Sequence, residues 1–434
     1  MFYQNKCVFL QKNRKNMISD IQFKNYRSFR DECNFTMEAS SSDTKPDNVF
    51  ITPISENSTE RLLKIAVIYG ANASGKTNII RLLYSLRSAI SKPSETQGGE
   101  NVDIYDPFRL DDESDNKPTE VSFTFIIKGI KYIYSLEYNR EEFTSEKLVY
   151  YPRGVAAILF EREPEWQPNG LKRYKAKYGS TISKGNKQKF LVFNNKLIIS
   201  KFLYDVPDEL ITPVAQYLAN IHIANGYNSR MISNLWDEVR SWLSEDIKRK
   251  QKLVELLAFA DLGIKTFKIT RGEKLLNKVT LVHERHDKDD NIENVDFHFD
   301  EESYGTRQLF VLGGKILQSL ESGTPLLVDE MDTGFHTYIS SFILDIYRNK
   351  RINKKNAQLI LTTHDINLLN EDFLRRDQVW FTEKSDKGIS ELYSLSDFEG
   401  VREDTAFAKW YMANKFGGVP TIRSLEKLFV DETD

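Results

Sequence analysis

The chain has 434 residues, of which 40% are hydrophobic and 28% charged, and its 60 basic and 63 acidic side chains give a net charge of −3. A chain of this length predicts two or three structural units around a large core. The composition excludes a disordered chain, and the charge balance excludes a polycation that coats nucleic acid with its whole surface. Two cysteines exclude a disulfide framework, and no apolar run approaches the roughly 18 residues of a membrane helix. We therefore expect a globular cytoplasmic protein without a membrane contact.

The first part of the chain predicts a strand, a loop and a helix, followed by a hairpin. Residues 1–16 lack a core pattern and Met17 precedes an alternating apolar stretch, so we expect an N-terminal extension over 1–16. The apolar run 62–69 predicts one strand that is buried on both faces. The periodic run 78–90 predicts an amphipathic helix, and two later strands are expected to meet in a turn at Gly129.

The second part of the chain alternates between helical and strand patterns. Helical periodicity covers residues 205–262, and short strands are predicted over 264–299. The later pattern predicts a helix, a buried strand, a second helix and a second buried strand, in turn, over residues 305–320, 325–328, 338–347 and 358–362. These elements indicate an α/β fold.

A phosphate-binding loop is predicted between the strand 62–69 and the helix 78–90. Residues 70–77 read GANASGKT and fit the pattern G-x-x-x-x-G-K-[ST]. Its glycines let backbone N–H groups converge on phosphate oxygens at a helix N-terminus, its lysine reaches the β- and γ-phosphates, and the Thr77 hydroxyl is placed to bind Mg²⁺. The residues expected to contact ATP here are Gly70, Asn72, Ala73, Ser74, Gly75, Lys76, Thr77 and Asn78.

Two further buried strands end in residues suited to nucleotide hydrolysis. The sequence PLLVDE ends in Asp329, expected to hold a Mg²⁺-bound water, and Glu330, expected to polarise the attacking water. The sequence QLILTTH ends in His364, at the place of a γ-phosphate sensor. The remaining histidines are interpreted as structural or surface residues: His222, His283, His286, His298 and His336.

The order of these motifs resembles that of the ABC-type ATPases. ESYGTRQ, residues 302–308, places Ser303 and Gly305 at the positions of the ABC signature, and Asp332 matches the D-loop aspartate. Tyr304 and Thr306 stand where the transporter form of the signature has glycines. Together with NYRSFRD, LILTTHD and ELYSLSDF, the motifs are similar to those of stand-alone SMC-like ATPases of bacterial phage-defence and abortive-infection loci, such as the ATPase subunit of the two-gene PARIS system.

This resemblance implies an ABC-type P-loop ATPase core with an inserted helical region, ATP and Mg²⁺ as cofactors, and ATP hydrolysis. In such ATPases the signature of one subunit closes over the nucleotide of another, which implies a homodimer or a higher homo-oligomer. The implied role is a sensor or switch that controls a separate effector, for instance a Toprim or other nuclease. An ATP-gated scaffold and a DNA-repair or recombination ATPase are the alternatives, and the Q-loop residue stays open between Gln97 and the segment near Pro107 and Phe108.

The resemblance also divides the chain into five segments. These are the extension 1–16, the first part of the ATPase core at 17–160, an inserted basic and helical region at 161–290, the second part of the core at 291–390 and a C-terminal segment at 391–434.

A basic segment at residues 166–201 carries nine cations and no acidic residue. One interpretation is a solvated loop. The other is a contact for nucleic acid or a phage protein, because Trp166, Tyr174, Tyr178 and Phe190 alternate with the basic side chains. The cations are Lys172, Arg173, Lys175, Lys177, Lys184, Lys187, Lys189, Lys196 and Lys201.

Overall fold

The computed structural model describes residues 16–92, 101–170, 172–182, 187–225, 229–260, 263–271 and 277–420. The expected extension lies outside these ranges apart from Asn16, and the Q-loop candidate Gln97 and the cation Lys184 also lie outside them.

The strands make up four sheets. In chain order they are Asn16–Lys24 (β1), Cys33–Thr36 (β2), Val49–Pro53 (β3), Thr59–Leu63 (β4), Ile65–Gly70 (β5), Thr119–Ile127 (β6), Ile130–Tyr138 (β7), Phe143–Tyr150 (β8), Ala157–Trp166 (β9), Lys172–Tyr178 (β10), His222–Asn225 (β11), Ile264–Arg271 (β12), Asn277–His286 (β13), Ile292–His298 (β14), Leu326–Asp329 (β15), Leu359–Thr362 (β16), Val379–Lys384 (β17) and Ser390–Ser394 (β18).

The α-helices in chain order are Lys76–Ser91 (α1), Ile199–Tyr204 (α2), Thr212–Ala219 (α3), Ser229–Ser244 (α4), Ile247–Phe259 (α5), Tyr304–Ser322 (α6), Thr337–Arg348 (α7) and Phe407–Met412 (α8). The helices and strands predicted after residue 300 coincide with α6, β15, α7 and β16, and the predicted helix 78–90 lies within α1. Among the residues described, no helix is both long enough and apolar enough to cross a membrane.

A six-stranded sheet forms the centre of the fold, in the spatial order β11, β15, β16, β5, β17 and β18. The first five strands are parallel and β18 is antiparallel to β17. Ala66 and Ile68 of β5 join a hydrophobic cluster with α1, whereas Ile65 and Val67 join a second cluster with α6 and α7. Burial on both faces explains the continuous apolar runs of these strands. The carboxyl ends of β5, β15 and β16 consequently meet at one edge of the sheet.

The predicted strand 62–69 is confirmed over residues 65–69, which lie in β5, whereas Leu62 and Leu63 belong to a different strand, β4. β4 ends at Leu63 and pairs with β3, whereas β5 begins at Ile65 and lies between β16 and β17. Lys64 separates them, fully buried, and its Nζ donates to the backbone oxygen of Arg348 at 2.9 Å. An apolar run shows that a stretch is buried but not which sheet it joins, so a change of sheet within the run is invisible in the sequence.

A seven-stranded antiparallel sheet covers the other side of α1, in the order β10, β9, β8, β7, β6, β1 and β2. The turn between β6 and β7 places Lys128 at φ 51° and Gly129 at φ 79°. Two consecutive residues with positive φ suit a two-residue hairpin turn, which confirms the turn predicted at Gly129.

Between β10 and α6 the chain forms helices α2 to α5 and the three-stranded sheet β12–β14. One strand within this stretch, β11, belongs to the central sheet, with His222 paired to Leu326 and Asn225 to Asp329. The boundary expected between residues 160 and 161 falls inside β9. The five-segment division of the chain stays a prediction.

Candidate nucleotide-binding site

The phosphate loop joins the carboxyl end of β5 to α1, and two glycines allow its shape. A Cβ atom on Gly70 would lie 2.4 Å from the backbone oxygen of Thr382, and one on Gly75 would lie 2.9 Å from the Ser390 hydroxyl. Gly75 also has φ 121°, which residues with a side chain rarely adopt. Both positions therefore require glycine, and the loop packs closely against β17 and β18.

Side chains from neighbouring strands hold the loop in place. The Ser74 hydroxyl lies 2.5 Å from the Thr382 hydroxyl, and the Ser390 hydroxyl donates to the backbone oxygen of Ser74 at 2.5 Å. The Asn78 amide donates to the Ser28 hydroxyl at 2.8 Å. Ser74 and Asn78, expected from the sequence to contact ATP, thus use their side chains to brace the loop.

Lys76 lies buried beneath the loop, and Asn72 and Ala73 are exposed at its tip. The Lys76 ammonium donates to the backbone oxygens of Gly70 at 2.8 Å and Ala71 at 3.0 Å. Burial lowers the pKa of Lys76 to about 8. Over the described ranges no carboxylate forms an ion pair with this ammonium, so its net charge is available to an anion.

The carboxylate of Asp329 ends β15 beside the phosphate loop and is almost fully buried. Its Oδ1 accepts hydrogen bonds from the hydroxyls of Thr362 at 2.6 Å and Thr77 at 3.2 Å. Its buried Oδ2 has no hydrogen-bond partner among the described residues, and burial raises the pKa of Asp329. A carboxylate oxygen without a partner beside a threonine hydroxyl fits a hydrated Mg²⁺ ion, which prefers oxygen ligands.

Glu330 follows directly and has φ 47°, which is uncommon for a residue with a side chain and occurs often at functional sites. Its backbone N–H donates to the Thr362 hydroxyl at 2.7 Å, and its Oε2 accepts from the Thr333 hydroxyl at 3.2 Å. Partial burial and the charge of Asp332 raise the pKa of Glu330. A carboxylate with a raised pKa is suited to accept a proton from water.

Asp332 and His364 lie next to each other at the same edge of the sheet. Asp332 Oδ1 accepts from the Thr363 hydroxyl at 2.7 Å and from the backbone N–H of His364 at 3.1 Å. Burial and the nearby charge of Lys76 lower the pKa of His364. The lowered pKa favours the neutral imidazole, which can donate one hydrogen bond.

The signature residues begin α6. The Ser303 hydroxyl accepts from the backbone N–H of Thr306 at 3.1 Å and so caps the helix. A Cβ on Gly305 would lie 2.6 Å from the backbone oxygen of Gly334, so the signature packs on the loop after Glu330. Within the described part of the chain, no hydrogen bond or ion pair joins residues 302–308 to the phosphate loop.

Residues 65–370 match a family model described as "AAA domain, putative AbiEii toxin, Type IV TA system". The match runs from the first residue of β5 to beyond His364 and spans more than half of the chain. The chain belongs to this family. No curated protein matches the sequence of this AAA-domain protein significantly.

Solved structures of SMC heads are similar to this AAA-domain protein at low sequence identity. The SMC head bound to the C-winged helix domain of ScpA is 14% identical, with 87% of this chain and 97% of that chain covered and a TM-score of 0.42. The SMC head domain from Thermotoga maritima is 12% identical, with 87% of this chain and 98% of that chain covered and a TM-score of 0.38. A Pyrococcus furiosus Smc head domain with an extended coiled coil, bound to the C-terminal domain of ScpA, is 11% identical, with 87% of this chain and 96% of that chain covered and a TM-score of 0.42.

The chain has the α/β fold of an ABC-type P-loop ATPase core. This assignment rests on the family and on the order of the motifs around the parallel sheet, and not on the distant likeness to SMC heads. The phosphate loop follows β5, the acidic pair follows β15 and the histidine follows β16, and these three strands are neighbours in the order β15, β16, β5.

Three hydroxyl residues of the site were missed in the sequence. Thr362 donates to Asp329 and accepts from the backbone of Glu330, so it fixes both acids. Thr382 and Ser390 hold the phosphate loop from β17 and β18. The paired threonines before His364 in LILTTH are the one sequence signal that could have indicated Thr362.

Residues 172–178 of the basic segment form β10 of the antiparallel sheet, whereas the phosphate loop follows β5 of the parallel sheet. β10 pairs with the acidic strand β9, and Lys175 Nζ lies 2.8 Å from Glu165 and 3.7 Å from Glu163. Tyr174 is buried, with the Arg162 guanidinium 3.8 Å from its ring centre. Lys175 is thus paired with acidic side chains, and the buried Tyr174 ring is not accessible to a nucleic-acid base.

The five other histidines take structural or surface positions. His283 Nε2 lies 2.6 Å from Glu302 Oε1, and His336 Nδ1 accepts from the backbone N–H of Tyr338 at 3.3 Å at the start of α7. His222 lies at the start of β11, and the exposed pair is His286 and His298. In the part of the chain that the structure describes, no group of three His, Cys, Asp or Glu side chains is placed to hold a metal ion.

Proposed function

We propose that this chain binds and hydrolyses ATP with Mg²⁺ and that turnover switches a separate effector of a bacterial antiviral defence system. The observation that carries the nucleotide site is the buried Asp329 carboxylate, which bonds Thr77 through one oxygen and, among the described residues, has no partner at the other. The family description names a toxin–antitoxin system, which supports a second protein component. We propose a nuclease, of the Toprim or another class, as that effector.

The residues at the carboxyl edge of the sheet have different roles in hydrolysis. Lys76 neutralises charge on the β- and γ-phosphates, and Glu330 accepts a proton from the attacking water. His364 donates a hydrogen bond to the γ-phosphate. Thr77 and Asp329 would hold Mg²⁺, which offsets the negative charge that opposes attack at phosphorus.

Glu330→Gln tests this assignment. Because the amide cannot accept the proton, we expect ATP binding to persist and steady-state hydrolysis to fall about 100-fold or more. Glu293→Gln, which changes an exposed glutamate of β14, is the matched control and should keep the full rate. Hydrolysis by Glu330→Gln at the wild-type rate would contradict the role of Glu330.

The same variant separates a switch from a scaffold. In cells that also carry the effector, a turnover-driven switch loses its antiviral output with Glu330→Gln, whereas an ATP-gated scaffold retains the effector and its output. Stimulation of the isolated protein's ATPase by DNA would instead favour a DNA-repair or recombination ATPase.

We also propose that the signature completes the nucleotide site of a second copy of the chain. Ser303 and Gly305, at the start of α6, pack beside Gly334, and in the described part of the chain they make no hydrogen bond to their own phosphate loop, which supports a role toward another subunit. Ser303→Arg should therefore stop hydrolysis while leaving ATP binding nearly intact. Mixed with Lys76→Ala it should recover up to about a quarter of the wild-type rate per chain, if pairing is random and the sites act independently. Normal hydrolysis by Ser303→Arg alone would contradict the signature assignment.

A contact with nucleic acid or a phage protein through residues 166–201 has weaker support. Lys172 lies 3.0 Å from Glu142, and Lys175 faces Glu163 and Glu165, so these two of the nine cations are already paired with carboxylates of the chain. We do not extend the proposal to this contact.

A further inference from the structure

The segment that follows β15 turns sharply at the carboxyl edge of the parallel sheet. The backbone N–H of Thr333 donates to the backbone oxygen of Glu330 at 3.1 Å, which closes a β-turn. Within this turn, Asp332 Oδ1 accepts from the Thr363 hydroxyl at 2.7 Å and from the backbone N–H of His364 at 3.1 Å. The turn is therefore fastened to the segment after β16 as well as to its own strand.

The signature packs against the residue that follows this turn. Gly334 has φ 83°, and a Cβ atom on it would lie 3.2 Å from Cδ1 of the Tyr304 ring. A Cβ atom on Gly305 would lie 2.6 Å from the backbone oxygen of Gly334. The start of α6 and the end of the turn therefore lie in close contact, which leaves no room for a side chain at either glycine. Thr333 consequently stands between two residues whose positions are fixed, Asp332 and Gly334.

The backbone of Glu330 is fixed more firmly than its side chain. Its N–H donates to the Thr362 hydroxyl at 2.7 Å, and its φ is 47°. In the part of the chain that the structure describes, the Thr333 hydroxyl is the one hydrogen-bond donor to the Glu330 carboxylate, with Oγ1 3.2 Å from Oε2, and no cation forms an ion pair with this carboxylate. A glutamate side chain has several rotatable bonds, so without this contact the carboxylate would sample several rotamers.

We infer that Thr333 is a positioning residue, whose hydroxyl holds the Glu330 carboxylate in the orientation that accepts a proton from the attacking water. This inference rests on the proposed function, in which Glu330 is the proton acceptor. A general base must lie within hydrogen-bond reach of the proton that it removes, and a carboxylate that samples several rotamers is in reach for only part of the time. Thr333 binds one carboxylate oxygen, Oε2, and the other oxygen is left for the water.

The same contact connects the signature to hydrolysis within a single chain. The start of α6 packs on Gly334, and the preceding residue, Thr333, donates to Glu330. The signature thus supports the glutamate of its own chain through this turn. This support involves no residue of another subunit, so it is separate from the role of Ser303 toward a second copy that is proposed above.

Thr333→Val in the full chain tests the inference, because valine removes the hydroxyl and keeps the branched shape of the side chain. We expect kcat for ATP hydrolysis to fall about tenfold, since a small displacement of a reacting group costs a large part of the rate. KM and the dissociation constant for ATP should stay within about twofold of the wild type, because the hydroxyl acts on the chemical step and not on nucleotide binding.

Two further variants show whether the hydroxyl is the cause. Thr333→Ser restores the hydroxyl and should recover most of the wild-type kcat. Thr144→Val is the matched control, since the Thr144 hydroxyl donates to the backbone oxygen of Glu137 at 3.0 Å in the antiparallel sheet, and it should keep the full kcat.

A double-mutant cycle with Glu330→Gln separates positioning from an independent effect. If Thr333 acts through the Glu330 carboxylate, adding Thr333→Val to Glu330→Gln should leave the residual rate unchanged. If Thr333 acts independently of Glu330, the residual rate should fall by about the same tenfold factor as in the wild-type background.

Three outcomes would overturn the inference: a full kcat in Thr333→Val, an equal loss of kcat in Thr333→Ser, or a further fall when Thr333→Val is added to Glu330→Gln. Wild-type hydrolysis by Glu330→Gln would contradict the proposed function itself, so the two failures are distinguishable. Thermal unfolding of each variant shows whether it folds. If Thr333→Val does not fold, Thr333→Ala, which also removes the hydroxyl, decides the question.

Discussion

Lys76 in the phosphate loop and Lys175 in β10 donate to different kinds of atom. The buried Lys76 ammonium contacts the backbone oxygens of Gly70 and Ala71, whereas the more exposed Lys175 faces the carboxylates of Glu163 and Glu165. Carbonyl oxygens satisfy the N–H groups but leave the net charge, and carboxylates cancel it. The partners of a lysine therefore decide whether its region attracts a phosphate, and a count of lysines along the chain does not.

The antiparallel sheet contains a second kind of ion pair, which is fully buried. Glu146 and Arg162 have no exposed side-chain surface and lie 3.4 Å apart. Glu146 also accepts from the backbone N–H groups of Ile198 and Ile199 at 2.7 and 2.9 Å. This pair fastens the segment before α2 to the sheet, so its role differs both from that of Lys76 and from that of the exposed pairs.

The largest effect is expected from Glu146→Ala. The change leaves the Arg162 guanidinium buried without its carboxylate and should lower the free energy of unfolding by about 3–5 kcal/mol. Urea unfolding followed by circular dichroism measures the loss. Glu163→Ala, which removes an exposed glutamate of the same sheet, is the control, and an equal loss for both variants would contradict a special role for the buried pair.

Lys76→Ala should weaken ATP binding about 100-fold, or roughly 3 kcal/mol, because it removes the ammonium that faces the phosphates. Calorimetry with ATP and Mg²⁺ measures the change, and the thermal unfolding temperature without nucleotide should stay near that of the wild type. Lys175→Ala serves as the matched control and should bind ATP normally. If Lys76→Ala bound ATP with wild-type affinity, Lys76 would not differ from Lys175 in phosphate binding.

ATP affinity should also fall as the pH rises above 8. Burial lowers the pKa of Lys76 to about 8, so the side chain is charged below this pH and becomes neutral above it. At pH 9 about a tenth of the chains carry the charge, and the dissociation constant should be about tenfold higher than at pH 7.5. An affinity that is constant between these two pH values would show that Lys76 keeps its charge.

The smallest effect is expected from Lys175→Ala on stability. This side chain is exposed, and ion pairs between exposed groups contribute little because water screens them. Urea unfolding should give the same midpoint as the wild type within error. A clear loss of stability would indicate that Lys175 stabilises this edge of the sheet. The exposed ion pairs and the buried Glu146–Arg162 pair would then differ less in their contribution to the free energy of unfolding.

The sequence by itself determined the parts of the site that lie close together along the chain. The pattern from Gly70 to Thr77, with a buried strand before it and an amphipathic helix after it, defines a phosphate loop because strand, loop and helix are contiguous. The strands that end at Asp329 and near His364 were also predictable, since their apolar runs are short and bounded by polar residues. The motif order then indicated the ABC-type core.

Only the tertiary structure decided which distant side chains meet. Thr362 joins Asp329 to the backbone of Glu330, and the hydroxyl of Thr382 meets Ser74 of the loop, although 308 residues separate them. The carboxylates that neutralise Lys175 lie on the neighbouring strand, β9. The strand register that places them beside Lys175 cannot be read from the sequence of the basic segment. Strand pairing and burial set these partners, and since they depend on the whole fold, a local pattern of residues cannot specify them.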